Sequence, residues 1–546
     1  MNRREFLECN ALLGAIAGVG SRSFVSTGDT ALDMSPPESP TFVPEYFGRV
    51  EPGDEGQLLK AGFAERDITP DVGMQTPGDY VPDYVKGFHD RCKVRATVFD
   101  DGDMRVALVG TDTVDVFKAT LVDPARKLIQ QRCGIPPEAV LIGAAHNHSG
   151  GPIGDVQPGQ YDHAPAFVQE LAYKKSPAAD PGYLQGVIEQ IAGAVCEANE
   201  NRTEAFCGVA TGAEPKVAFC RRLRMKNGLT YTHPGQGNPD IIGYADSVDP
   251  QVGVVGAWDK NGRFLGCIVN FTCHATTNPG SGSEASANWI YYMERVIRGA
   301  MGAEVPVVFL QGAAGDVTQV DNLSPYAFPL NTQWAQFVGG RVGAEAVKEL
   351  LTMVPGSLRP LNAASKLLQI KPRVPSPEHV REAYALVRQS PESVGRTKWI
   401  FAKETVMLDA LIKEGVPSVE VQAVQVGPAV FVSSPCELFC KFGLDLKAKS
   451  PFPHTYVVAY ANGCFGYVPT EEALGPHGGG YETRLTSDSF LEPTAGTQMV
   501  KAGLEIIARM QPGKLPAPPK APPFSTTAGG IGATAWDYGN LPPQLD

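Results

Sequence analysis

The stretch AVLIGAAHNHSGGP, residues 139–152, decides how this chain is read. Its opening run is short and aliphatic and follows the turn pair Pro136-Pro137, the pattern of a buried strand. Two histidines one residue apart come next, then Ser149 and two glycines. With the chain extended through His148, the imidazoles of His146 and His148 point the same way, and the glycines let the backbone bend tightly around what they face. A His-x-His at the end of a buried strand is either one edge of a metal site or a pair of ordinary hydrogen-bonded polar residues. The stretch alone leaves both open.

Further strands and helices surround it. Apolar runs at 58–68, 93–99 and 104–112 predict strands, the last two joined by the turn Asp100-Asp101-Gly102-Asp103. Helices are expected over 121–131, 183–198 and 291–299. Strands are expected over 252–258, 264–272, 305–310, 419–426, 429–433 and 455–460. Residues 379–413 predict a charged helical hairpin or insertion. Residues 154–181, rich in Asp, Pro and Gly, predict a long irregular loop facing a substrate. Apolar strands alternating with helices make this an α/β protein of mixed β-sheets flanked by helices.

The 546 residues suffice for two to four average domains, or for one large catalytic domain with appendages. The formal net charge is -12, and no Lys/Arg-rich block follows the N-terminus. That argues against nucleic acid and against an electrostatic membrane-surface role. The chain has 11 cysteines, an odd number with no C-x-x-C pair. Most are read as small buried hydrophobes, with room for one or two disulfides.

The N-terminus MNRREFLE sets an Arg pair before Phe6-Leu7, and a mildly apolar region follows. This predicts a twin-arginine-like signal over 1–27 and then a Ser/Pro/Gly-rich linker over 28–57. No later segment reaches the ~20 apolar residues that span a bilayer. The mature chain is expected without a transmembrane segment, periplasmic or extracellular. After about residue 511 the sequence turns Pro-rich and then Gly/Thr-rich, which predicts a tail over 511–546.

Several predicted strands end in a residue that can bind metal: His146, His274, Glu437 and, near the last strand, Tyr467. In open α/β sheets, ligand sites lie beyond the carboxyl ends of the strands. Two imidazoles and a carboxylate make a catalytic zinc set with one position left open. Zinc lowers the pKa of bound water to about 7, which suits hydrolysis of an amide or ester.

These motifs carry a resemblance. GFHD (87–90), AAHNHSGG (144–151), VNFTCHATT (269–277), FLQGAAGDV (309–317), SPCELF (434–439) and GYVPTEEA (466–473) stand in the order found in the neutral/alkaline, non-lysosomal ceramidase family. The resemblance covers residues 58–510, read as the catalytic domain. It implies an amidohydrolase acting on N-acylsphingosine through one zinc ion, held by His146, His274, Glu437 and Tyr467. Three departures stand out. The family's serine aligns with Gly312. A Ser-Ala-Asp or Ser-Ser-Asp segment reads Ser286-Ala287-Asn288. The sequence after 510 is too short for the family's C-terminal β-sandwich. A kept metal set with a lost substrate-side serine describes a divergent member with a changed substrate.

His148 and Asp316 are the catalytic candidates: His148 is a donor to a developing oxyanion or a proton shuttle, or else a structural partner of the turn at 149–151. Arg221, Arg222 and Gly312 are the substrate-side candidates. An adjacent Arg pair clamps a carboxylate, phosphate or sulfate, or else forms a solvated strand face. His89 is read as orienting a ligand, His233 as a loop residue, and Cys273 and Cys436 as packing. Three functions follow as expectations: an exported zinc-dependent, ceramidase-like amide hydrolase; a zinc hydrolase of the same fold acting on a polar or anionic carbohydrate-derived substrate; and a metal-stabilised binding protein without turnover.

Overall fold

Three strand–helix–strand crossovers carry the architecture, and each delivers a loop to one place. The structure is a computed structural model that describes residues 43–44, 47–48, 58–302, 304–412, 415–520, 543 and 545. The signal expected over 1–27 and most of the linker expected over 28–57 lie outside the described residues.

In chain order the main elements are β1 (Leu59–Asp67), β2 (Lys93–Asp100), β3 (Arg105–Thr111), α1 (Asp123–Cys133), β4 (Val140–Ala144), α2 (Ala166–Lys175), α3 (Pro181–Glu200) and β5 (Thr203–Ala213). Next come β6 (Gln251–Asp259), β7 (Phe264–Phe271), α4 (Trp289–Met301), β8 (Val307–Gln311), α5 (Asn331–Thr352), β9 (Leu361–Gln369), α6 (Pro377–Val387) and α7 (Arg396–Leu411). The described elements close with β10 (Ser418–Val426), β11 (Ala429–Ser433), α8 (Cys440–Lys449), β12 (His454–Val458) and α9 (Ala495–Ile507).

Eight strands form one mixed sheet in the order β8-β7-β6-β5-β1-β2-β3-β4, and four form a second, β9-β10-β11-β12. The pairs β3/β4, β7/β8 and β11/β12 are parallel. A parallel pair needs a crossover, supplied here by α1, α4 and α8. The β2–β3 hairpin forms where its turn was expected, with Asp100 opposite Arg105. The edge strand β8 packs over β3. At Gly110 a side chain would collide with the backbone of Phe309, so glycine permits that approach. The second sheet joins the first beside β4: the Asn462 amide donates to Ile142 O (2.9 Å), and Asn462 Oδ1 accepts from the Ile142 amide (3.0 Å).

One continuous apolar core runs between and under both sheets and includes Val109, Ile142, Val269, Leu310, Val432 and Val458. A smaller cluster joins α2 to α6 and α7 through Leu171, Trp399 and Val406. Here the expected irregular loop over 154–181 is corrected, since residues 166–175 are helical. Helix α2 has no side-chain cap; its Val168, Leu171 and Ala172 are buried against α6 and α7, over 200 residues later in sequence. Burial of that face rather than a local signal makes it a helix. All ten described cysteines are free thiols, so the disulfides for which the sequence left room do not form among the described residues. After α9, residues 511–520 contain neither helix nor strand. Among the described residues no helix is long and apolar enough to cross a membrane.

Candidate metal centre

The loops after β3, β4, β7, β11 and β12 meet at the carboxyl ends of the parallel pairs. The loop after β4 is built on strain. Strand β4 stops at Ala144, and His146 takes φ 54°, so the chain is not extended through the His-x-His as the sequence suggested. Non-glycine residues in this region cost roughly 1–3 kcal/mol and concentrate at functional sites. The imidazoles still converge: Nε2 of His148 lies 3.2 Å from Nε2 of His146. The His146 ring stacks on Tyr460 (centroids 4.2 Å apart), which itself has φ 55°.

The other loops are tied to this one through backbone and amide groups. Asn147 forms a parallel bridge with Ala275, which sets His274 beside the His-x-His. Gln311, at the end of β8, donates to Ala145 O (3.0 Å) and Cys273 O (2.8 Å), stitching the two histidine loops together. Asn288 Oδ1 accepts from the amides of Thr277 (3.0 Å) and Trp289 (3.0 Å), so Ser286-Ala287-Asn288 starts α4 and braces the loop after His274. Glu437 and Tyr467 pair in a two-stranded parallel ribbon.

Glu437 Oε2 lies 3.2 Å from His146 Nε2 and 3.4 Å from His274 Nε2. His146 Nδ1 is 2.9 Å from Val114 O. A carbonyl only accepts, so Nδ1 carries the hydrogen and Nε2 of the neutral ring presents a lone pair. A lone pair and a carboxylate oxygen at this distance need a positive charge between them. Glu437 Oε2 is buried and receives no hydrogen bond. Burial opposes protonation of His146, but the Glu437 carboxylate outweighs it and raises the pKa. Burial would raise Glu437, but His146 and His274 hold it far below the usual range. Burial and then Arg221 push His274 down to about 3. His146, His148 and His274 have ligand atoms within 4.8 Å of one another, so the buried group can hold a metal ion. The donor set, with its orphaned carboxylate oxygen, fits one.

Arg221 and Arg222 do not form a clamp. Arg221 is buried: its guanidinium donates to Glu482 Oε1 (2.7 Å), Gly315 O (2.8 Å) and Tyr467 OH (2.9 Å), and Nη1 lies 3.2 Å from His274 Nε2. Tyr467 OH also meets Tyr481 OH at 2.8 Å. Arg222, one residue on, faces away, bonded to Gly479 O and lying over the Phe439 ring. Arg221 occupies the bend between the short strands Phe219–Cys220 and Arg222–Met225, and that break in the strand separates the pair. Asp316 also sits outside the cavity at the centre. Its Oδ1 accepts from the Cys440 amide (2.8 Å), at the start of α8. Gly312 lies against Thr272.

A cavity of about 90 Å³ opens beside the imidazoles. Its wall includes Tyr80, Asp115, Asp155, Tyr481 and Asp488, none of which the sequence singled out. Only Asp115 had a usable signal: it follows β3, and the strand-end rule reaches it. His89 binds Asp90 (2.8 Å), whose carboxylate accepts from the Ala287 amide (2.7 Å); it braces the start of α4. His233 is a loop residue 3.2 Å from the Asn322 amide.

No protein-family model matches the chain. It is 25% identical over 288 residues to the neutral ceramidase of Pseudomonas aeruginosa. That match covers 50% of this chain and 39% of the relative's length. The crystal structure of neutral ceramidase from Pseudomonas aeruginosa superposes with a TM-score of 0.62 at 19% identity, over 85% of this chain and 77% of that one. A structure titled as ceramidase complexed with C2 gives 0.61 at 19% identity over the same shares. The chain carries a divergent neutral-ceramidase-like domain.

Proposed function

We propose that the chain is an exported zinc-dependent hydrolase that cleaves the amide of an N-acyl compound with water, its catalytic domain spanning residues 58–510. The observation that carries this reading is the convergence of His146 Nε2 and His274 Nε2 on the unpartnered Glu437 Oε2. These three residues and Tyr467 would hold the ion. When bound, zinc supplies a Lewis acid and a water of lowered pKa. The chain's own groups do the rest. Val114 O fixes the His146 tautomer. Arg221 orients Tyr467 through a 2.9 Å hydrogen bond and keeps positive charge next to where an amide oxygen becomes negative. Burial and then His146 depress the His148 pKa, so its ring is neutral and able to accept a proton from water and pass it on. The water oxygen joins the acyl carbon, the C–N bond breaks, and the leaving nitrogen takes the proton, giving a carboxylic acid and an amine. The relatives named for ceramide hydrolysis supply an N-acyl lipid as the first substrate to test.

A second reading keeps the chemistry and changes the substrate to a polar N-acyl compound. The acid-lined cavity favours it and opposes an anionic one. Elemental analysis of purified protein tests the centre: about one zinc per chain is expected, lost in His146→Ala and Glu437→Ala. Zinc absent from the wild type, or retained in both variants, would reject both readings. Labelled N-acylsphingosine assayed beside small polar N-acyl amines separates them. Bound zinc with turnover of neither would leave a metal-stabilised binding protein.

A further inference from the structure

The cavity beside the imidazoles has an uneven charge. Asp115, Asp155 and Asp488 line it together with Glu437, and no Lys or Arg does. Asp115 is 7% exposed, and its Oδ1 is buried without a hydrogen-bond partner. That oxygen is 3.9 Å from His146 Nδ1, which is committed to Val114 O. Two buried cations lie nearby, and both are engaged: Lys403 Nζ donates to Tyr80 O and Ser176 Oγ and pairs with Glu404 (3.1 Å), while the Arg221 guanidinium pairs with Glu482 and lies over the Tyr481 ring, 5.0 Å from its centroid. The three aspartates do not gather as metal ligands, since among the described residues only the histidine cluster does so. The rest of the wall holds a further carboxyl, Asp79, the two imidazoles, a few small residues and the rings of Tyr80, Phe117, Tyr467 and Tyr481. Burial, and then Asp115 for Asp155 and Asp155 for Asp488, raise both carboxyls well above their usual range, so an ammonium group entering among them replaces protons they otherwise hold, while the ring faces attract it through their quadrupoles.

We propose that this cavity binds an alkylammonium group, so that the substrates are N-acyl amines whose leaving group carries a second, cationic nitrogen. This rests on the hydrolase reading for the word substrate, but the ammonium site stands without it. The cavity's size suits a small head and not a long chain. Asp155 and Asp488 come from loops far apart in sequence, so the site exists only in the folded chain.

Titration calorimetry of the full chain with choline and with 3,3-dimethylbutan-1-ol tests it. The two share a shape, differ in charge, and offer no amine lone pair to a metal. Choline should bind about tenfold tighter, a difference of about 1.4 kcal/mol. Asp155→Asn and Asp488→Asn should each erase most of that preference and leave the alcohol unchanged. The wild-type comparison does not depend on how either variant folds. In turnover, N-acetylethylenediamine should exceed N-acetylethanolamine by about tenfold in kcat/KM. Equal affinities, no choline binding at millimolar concentration, or a preference kept in both variants would overturn the proposal. Choline binding with no hydrolysis of any N-acyl compound would reject the hydrolase reading alone. Hydrolysis without charge preference would reject the ammonium site alone.

Discussion

Gly312 packs against the side chain of Thr272 so closely that a Cβ at position 312 would overlap Thr272 Oγ1. The residue that stands where the related family has a serine is therefore fixed by a neighbour one strand away. Gly312→Ser should destabilise by ~1–3 kcal/mol through overpacking. Thr272→Ala should make room, so the double variant should be more stable than Gly312→Ser alone. Urea unfolding of the four proteins measures the coupling. Strictly additive effects would mean that Thr272 is not the obstacle.

Arg221 joins the metal centre to the core, and its partner Glu482 is completely buried. Removing the cation leaves that carboxylate without its charge, which typically costs ~3–5 kcal/mol. Arg221→Met should therefore lower the melting temperature sharply, and adding Glu482→Gln should recover part of it. A double variant as unstable as the sum of the singles would rule out the ion pair as the cause.

Acid stability should depend on Glu294. Burial alone would raise its pKa, but Arg95, Lys93 and Arg298 outweigh it and bring the carboxyl down to about 2. Arg95 Nη2 donates to it at 2.5 Å and Lys93 Nζ at 2.8 Å. A folded-state value below the unfolded one gives stability that is fully present above about pH 4.5 and is lost as pH falls towards 2. The contribution is on the order of 3 kcal/mol. Denaturant midpoints measured across that window should fall more steeply for the wild type than for Glu294→Gln. Parallel slopes would reject the assignment.

Metal should act as a clamp, because its proposed ligands come from segments after β4, β7, β11 and β12. A ligand bound only by the folded state stabilises by about 2.7 kcal/mol at a hundredfold excess over its Kd. Chelation should lower the melting temperature of the wild type by several degrees, with recovery on adding zinc. Glu437→Gln should be insensitive to chelator. An unchanged wild type would argue against a bound ion.

The sequence by itself determined most of the strands, though not β5 or β9. The runs that became β1, β2, β3, β7, β8, β10 and β11 are apolar, short and bounded by turns, signals a chain carries locally. The same locality made His146, His274 and Glu437 visible, each directly following a strand. Tertiary structure decided what no window of sequence contains. Helix α5 escaped notice because Gly339 and Gly343 weaken its helical pattern; they are needed where α4 approaches, since side chains there would meet the backbone of Trp289 and Met293. Helix α2 depends on a face buried by α6 and α7. Arg221 and Arg222 look alike in sequence, yet the bend at Arg221 sends one into the centre and the other, at the start of a strand, away from it. Asp155 and Asp488 lie in separate loops, and only folding brings both to one cavity wall. Local periodicity fixes which elements form, but the charge and shape of a site depend on residues hundreds of positions apart, and those are set by packing.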